Sequence, residues 1–288
     1  MEPGRQAQTL KRMMDGGKKT GSLKVLTITS GKGGVGKTNV VANLACALGK
    51  QGRRVLVFDA DMGLGNIDIL LGLAPKLNLQ HVLSGQNSIE EIIVKGPAGL
   101  DILPATSGVQ ELTQLNKEDR LVLVEELDRI CDTYDFLIFD TGAGISSNVT
   151  YFCSAAHEII LIVTTEPTSL TDAYALMKVL NQKHGQNRFR LILNIVKSEK
   201  EALEIFRHLT AVIDRFLPGV LVDYMGYILS DENVRKAVRR QKPFLELYPH
   251  SRAVRCIDAL SEKVVIESKL MSDNSARPFL WNNVFPVQ

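Results

Sequence analysis

Residues 26–48 read LTITSGKGGVGKTNVVANLACAL, and this stretch decides how the rest of the chain is understood. It opens as an apolar, β-branched run. It breaks at Gly31, Gly33, Gly34 and Gly36, then resumes as a helical pattern from Lys37. Gly31, Gly36, Lys37 and Thr38 fit G-x-x-x-x-G-K-[ST] in the strand–loop–helix setting that this spacing requires. Glycines let backbone N–H groups turn in on a phosphate with no Cβ in the way. The start of the following helix adds the positive end of its dipole. In such a loop Lys37 neutralises β- and γ-phosphate charge, and the Thr38 hydroxyl ligates Mg2+. Gly33, Gly34, Val35 and Asn39 complete the expected nucleotide-binding stretch. Lys32 is surplus to an ordinary phosphate loop.

Outward from the loop, short apolar runs alternate with longer helical patterns. Strands are expected at 23–30, 54–59, 100–104, 136–140, 158–164, 190–196 and 220–228, and helices at 37–50, 117–133, 170–183, 199–216 and 231–239, with a last one near 251–268. The strand candidates are rich in Val, Ile and Leu and do not alternate strictly, which suits strands covered on both faces. Strand–helix alternation at this spacing predicts an α/β fold with a mainly parallel, doubly wound sheet. Ligands of such sheets sit at the carboxyl ends of the strands.

Those ends carry further carboxylates. The second strand runs into VLVFDADMGLGNIDILLG, with Asp59 closing it and Asp61 two residues on. Two carboxylates beside a magnesium triphosphate can hold metal-bound water and orient the attacking water. The fourth strand ends FLIFDTGAGI, an apolar run closing on Asp140, as a Walker B strand does. Gly142 and Gly144 then permit a mobile loop.

Composition excludes several classes. Hydrophobic residues make up 45% and charged residues 23% of the 288, an ordinary globular balance. A net charge of +2 gives no ground for a nucleic-acid partner. Cys46, Cys131, Cys153 and Cys256 form no C-x-x-C pair, so zinc and iron–sulfur sites are not expected, and free thiols in a reducing cytosol are. No run reaches about 18 apolar residues, so no membrane span is expected.

The loop GKGGVGKT resembles the deviant Walker A P-loop of the MinD/ParA superfamily of SIMIBI-type NTPases. The resemblance covers about residues 23–265. It implies that Lys32 reaches the phosphates of a partner copy in a nucleotide-sandwich homodimer, stabilising transition-state charge as an arginine finger does. It also implies that Asp61 positions the water and Asp59 supports Mg2+ through water. Asn194, at the end of RLILNIV, would contact adenine, and Asp231 lies in a segment similar to the family's base-side loop. ATP is therefore the nucleotide implied.

The texts DADMGLGNIDILLG and TTEPTSLTDAYALMKVL are most similar to the flagellar-number regulator branch (FlhG/FleN/YlxH). This implies an ATP-dependent dimerisation switch with slow hydrolysis, controlling flagellum number and placement. Flagellar switch proteins or a flagellar transcription regulator are implied as partners. Septum positioning, as in MinD, and DNA partition, as in ParA, are the alternatives. Partition needs a concentrated basic face, for which Lys236, Arg239, Arg240 and Lys242 are candidates.

The ends read as separate parts flanking an ATPase domain at 23–271. In the segment 1–22, Gln6, Ala7, Leu10 and Lys11 resemble the family's D-Q-A-x-x-L-R element, which stimulates the GTPase of an FlhF-type signal-recognition partner. Arg5 stands where that element has its acid, and Lys11 keeps charge but loses the bidentate fork of arginine. The tail 272–288 carries Phe279, Leu280, Trp281 and Phe285 with Arg277 as its one basic residue. Membrane or partner contact are both open for it. The location expected is cytoplasmic, with or without peripheral attachment to the inner face of the membrane.

Overall fold

The computed structural model describes residues 23–62, 65–104 and 115–272. The elements are β1 (Lys24–Ser30), α1 (Lys37–Lys50), β2 (Val55–Ala60), α2 (Ile67–Leu70), α3 (Leu79–Leu83), α4 (Ile89–Ile92), β3 (Val94–Lys95) and β4 (Asp101–Leu103). Then come α5 (Lys117–Ile130), β5 (Phe136–Ala143), α6 (Ser147–Ala155), β6 (Glu158–Val163), α7 (Pro167–His184), β7 (Arg188–Val196), α8 (Glu199–Phe216) and β8 (Leu221–Leu229). The helices α9 (Glu232–Arg239), α10 (Phe244–Leu247) and α11 (Arg252–Ser272) follow.

Eight strands form one sheet in the order β3-β4-β2-β5-β1-β6-β7-β8. Every pairing is parallel except β3 with β4. All seven expected strands are present. The two-residue β3, the short helices α2–α4 and α10, and the whole of α6 were not anticipated. Helix α7 starts at Pro167 rather than Leu170, and α11 runs to Ser272.

The sheet is central because its strands are apolar on both faces. All seven residues of β1 and all six of β2 are buried. One face packs against α1 and α11 through Val41, Leu44, Leu48, Ile257 and Leu260. The other is covered in two patches, by α5 and α6 and by α7 and α8. In the first patch Phe58, Phe139 and Phe152 meet with ring centroids 4.9–5.6 Å apart. Burying each such ring stabilises the fold by about 1.5–3 kcal/mol relative to exposure.

This winding places the site. The chain leaves β1 through α1 toward β2, and leaves β5 through α6 toward β6, on opposite faces of the sheet. Open α/β sheets bind ligands in the crevice where the winding reverses in this way. The glycine loop emerges from β1 at that point.

Candidate functional site

Two glycines of the loop are dictated by neighbours. A Cβ on Gly31 would sit 2.2 Å from the carbonyl carbon of Asp172 in α7, an impossible distance. Gly36 has φ 84°, and a Cβ there would sit 2.6 Å from Nδ2 of Asn194. Gly36 is the N-cap of α1, and no side chain caps that helix start. No acid lies in the first turn either. The helix thus presents uncapped N–H groups and a positive dipole end, the arrangement that binds phosphate.

Lys37 and Asp140 are both buried, with Nζ 2.5 Å from Oδ1. The neighbouring Thr38 side chain helps to hold the Asp140 carboxyl lower. One carboxylate on β5 thereby holds Lys37 and neighbours Thr38, the two loop side chains expected to serve the phosphates and Mg2+. Asp59 pairs in register with Asp140 across β2 and β5. Its oxygens accept from the backbone N–H groups of Asp61 and Ile67, each at 3.2 Å. Asp61 lies against Gly142, where a Cβ would approach its Oδ1 to 3.3 Å. The three carboxylates expected at strand ends are therefore brought together around Lys37.

Burial pushes Asp59 well above the ordinary carboxylate range, and the neighbouring Asp140 charge adds to the rise. Asp140 is raised by burial too, against the pull of Lys37. Two buried carboxylates facing one ammonium leave negative charge unbalanced, and a divalent cation offsets such charge. The donor set of Thr38, Asp59 and Asp140 is hard oxygen, which suits Mg2+ completed by water and phosphate oxygens. No cluster of three or more His, Cys, Asp or Glu able to hold a metal by themselves occurs among the described residues.

Lys32 is engaged within its own chain. Its Nζ bonds to Glu166 Oε2 and, at 2.8 Å, to Thr168 Oγ1. Neither residue was singled out from the sequence. The Pro167 that starts α7 between them was the one available signal. Asn194 is buried beneath the loop. Its Nδ2 donates to Val35 O at 2.7 Å, and its Oδ1 accepts from Ile195 N at 2.9 Å. Ile195 has φ 60° and is 47% exposed, an outlier for a β-branched residue at the rim of the site. Asp231 caps α9 through Asn233 N at 2.9 Å and also accepts from Ala253 N of α11 at 3.3 Å. This structural duty was not expected. Gln6, Ala7, Leu10 and Lys11 lie outside the described residues, as does the tail from residue 273.

A model of the AAA domain family matches residues 23–193. The antiactivator FleN of Pseudomonas aeruginosa is 46% identical over 242 residues, covering 84% of this chain and 86% of that protein. The chain belongs to the MinD/ParA ATPases, in their FlhG/FleN branch. The flagellum site-determining protein YlxH of Helicobacter pylori is 34% identical over 245 residues, covering 85% of this chain and 83% of YlxH. The solved septum site-determining protein MinD of Pyrococcus horikoshii, complexed with Mg-ADP, superposes with a TM-score of 0.67 at 27% identity. That match covers 88% of this chain and 100% of the other. The α/β, doubly wound P-loop fold expected of a MinD/ParA member is thus the one observed. Among the described residues, no helix is long and apolar enough to cross a membrane.

Proposed function

We propose that this chain binds ATP with Mg2+ in the crevice above β1 and works as a dimerisation switch timed by slow hydrolysis. On this reading it regulates flagellum number and placement. The supporting observation is the convergence of Lys37, Thr38, Asp59, Asp61 and Asp140 on the uncapped start of α1. The FleN and YlxH relatives support the flagellar role.

Each residue has a task in that reading. Gly31, Lys32, Gly33, Gly34, Val35, Gly36, Lys37, Thr38 and Asn39 wrap the phosphates with backbone N–H groups. Lys37 turns from Asp140 to the β- and γ-phosphates. Thr38, with Asp59 and Asp140 behind it, holds the metal. Bound Mg2+ supplies charge neutralisation and alignment of the phosphate oxygens. Asp61, only partly buried and beside Gly142, orients the attacking water. Lys32 leaves Glu166 and Thr168 to reach the phosphates of a second copy. Asn194 and Asp231 flank the base. Gln6, Ala7, Leu10 and Lys11 are assigned to stimulation of an FlhF-type GTPase.

The test is to size the protein with ADP and with ATP, as wild type and as Asp61→Ala. The variant should bind ATP, lose turnover and accumulate as a dimer. A variant that stays monomeric in saturating ATP contradicts the switch.

A further inference from the structure

Helix α9 and the turn after it carry Arg235, Lys236, Arg239, Arg240 and Lys242. All five are exposed, and none takes part in an ion pair among the described residues. Arg235 and Arg239, and likewise Lys236 and Arg240, are four residues apart and so lie along one side of the helix. Val238 sits among them, 39% exposed.

The patch rests on a fixed base. Ala237, Phe244 and Leu245 beneath it are buried. The turn is closed by Gln241 N bonding to Val238 O at 3.0 Å and Lys242 N to Ala237 O at 3.3 Å. Asn43 Oδ1 in α1 accepts from Leu245 N at 3.0 Å, tying the following helix α10 to the phosphate-loop helix. On its other flank the turn lies against Gly72, two residues past the end of α2. A Cβ on Gly72 would lie 3.1 Å from Gln241 O. Leu71 joins Gly72 to α2, whose first residue, Ile67, donates its N–H to the Asp59 carboxylate.

We propose that this basic patch docks an acidic segment of a partner protein, and that docking is transmitted through Gln241, Gly72 and α2 to the Asp59–Asp61 loop. The second half rests on the functional reading given above and names a regulator class for it. Three observations select a protein as the occupant. Val238 is exposed at the edge of the cations, where a partner's apolar side chain gains a contact and a phosphate backbone does not. Exposed Glu232 precedes the cations in the chain by one helical turn and exposed Glu246 follows them, limiting the run of positive charge to the span of a short anionic segment. The only large exposed apolar side chain on α9 is Val238, too little for insertion into a bilayer. Unpaired surface cations of one sign favour encounter with an oppositely charged partner.

The experiment uses the full chain and a short labelled peptide rich in glutamate, with leucine along one helical face. Fluorescence anisotropy at physiological ionic strength compares three proteins: wild type, Arg239→Glu with Arg240→Glu, and a control with Lys183→Glu and Lys200→Glu. ATP turnover is read with and without peptide. Peptide affinity should fall at least about tenfold in the patch variant and hold in the control. Basal turnover should match wild type in both. The peptide should change turnover in wild type and control, and not in the patch variant. Equal peptide affinity in all three proteins overturns the docking surface. So does tighter binding of a duplex DNA oligonucleotide, or of phosphatidylglycerol vesicles, than of peptide. Patch-dependent binding with unchanged turnover overturns the transmission alone. A chain without ATP turnover under any condition defeats the functional reading, while anisotropy still decides the docking.

Discussion

Lys32 is held within its own chain in this structure, by Glu166 and Thr168. The contact with Glu166 is partly exposed, with side-chain accessibilities of 34% and 62% for the two residues. Water screens such a pair, so it contributes at most about 1 kcal/mol. On the proposed switch that sum opposes dimer formation, once in each copy, because the lysine must let go before it reaches a second chain. Glu166→Gln keeps the shape and removes the charge. Both copies give up a contact, so the ATP-bound dimer of this variant should form at concentrations up to about thirtyfold lower. Sedimentation velocity across a dilution series with ATP reads this directly, and a weaker dimer would assign Glu166 an interface role instead. The phosphate loop was legible in the sequence because its chemistry lies within eight consecutive residues. The partner of Lys32 was not, because 134 residues separate the two and only folding brings them together. Asp231 was visible as a polar residue at a strand end. Its capping of two helices depends on where α11 returns, which spacing does not encode.

At the scale of elements, the turn after α9 holds an ordinary side chain in a conformation suited to glycine. Gln241 has φ 52° at the position that closes the helix. Left-handed backbone at a non-glycine residue costs on the order of 1 kcal/mol. Gln241→Gly should therefore raise stability by up to about 1 kcal/mol, less what glycine adds to the entropy of the unfolded chain. Urea titration measures it, and a loss of stability would mean that the glutamine side chain holds the turn. The long elements were readable for equally local reasons. A buried parallel strand is a run of Val, Ile and Leu, and α8 begins where the Ser198 side chain caps the Glu201 N–H. Helix α6, SNVTYFCSA, was missed because its β-branched and aromatic residues are weak helix formers and seven of its nine residues are buried. Tertiary packing, not propensity, makes it helical. Two residues of β3 carry no period at all.

Across the whole molecule, the end of the sheet opposite the phosphate loop is held by charge. Glu158 bonds Lys24 at 2.7 Å and Arg190 at 2.9 Å, and Arg190 continues to Glu267 of α11 at 2.5 Å. Beside it, His157 Nδ1 accepts from Val25 N at 2.9 Å, which requires that nitrogen to be unprotonated. Burial, and then the Lys24 ammonium, hold the imidazole below its ordinary value of 6.5. As pH falls, the unfolded ring therefore takes up its proton first. Stability is lost from about pH 6.5 downward until the folded ring protonates as well. His157→Gln removes this titration, so its stability should decline less than that of wild type between about pH 7.5 and pH 5.5. Parallel slopes for the two proteins in denaturant titrations would dismiss the histidine as the source.

The borders of the sheet bear on how copies of the chain can meet. On one side β3 is two residues long, runs antiparallel and ends on the exposed, charged Lys95. On the other, β8 is interrupted by a register shift, and Lys263 of α11 takes the Met225 carbonyl at 2.8 Å. Short, charged and irregular borders discourage strand addition from another molecule. Such a chain resists growing into ribbons or fibres through its backbone. On the proposed switch, pairing falls to side chains at the loop end, where a nucleotide would join two copies and its loss would part them.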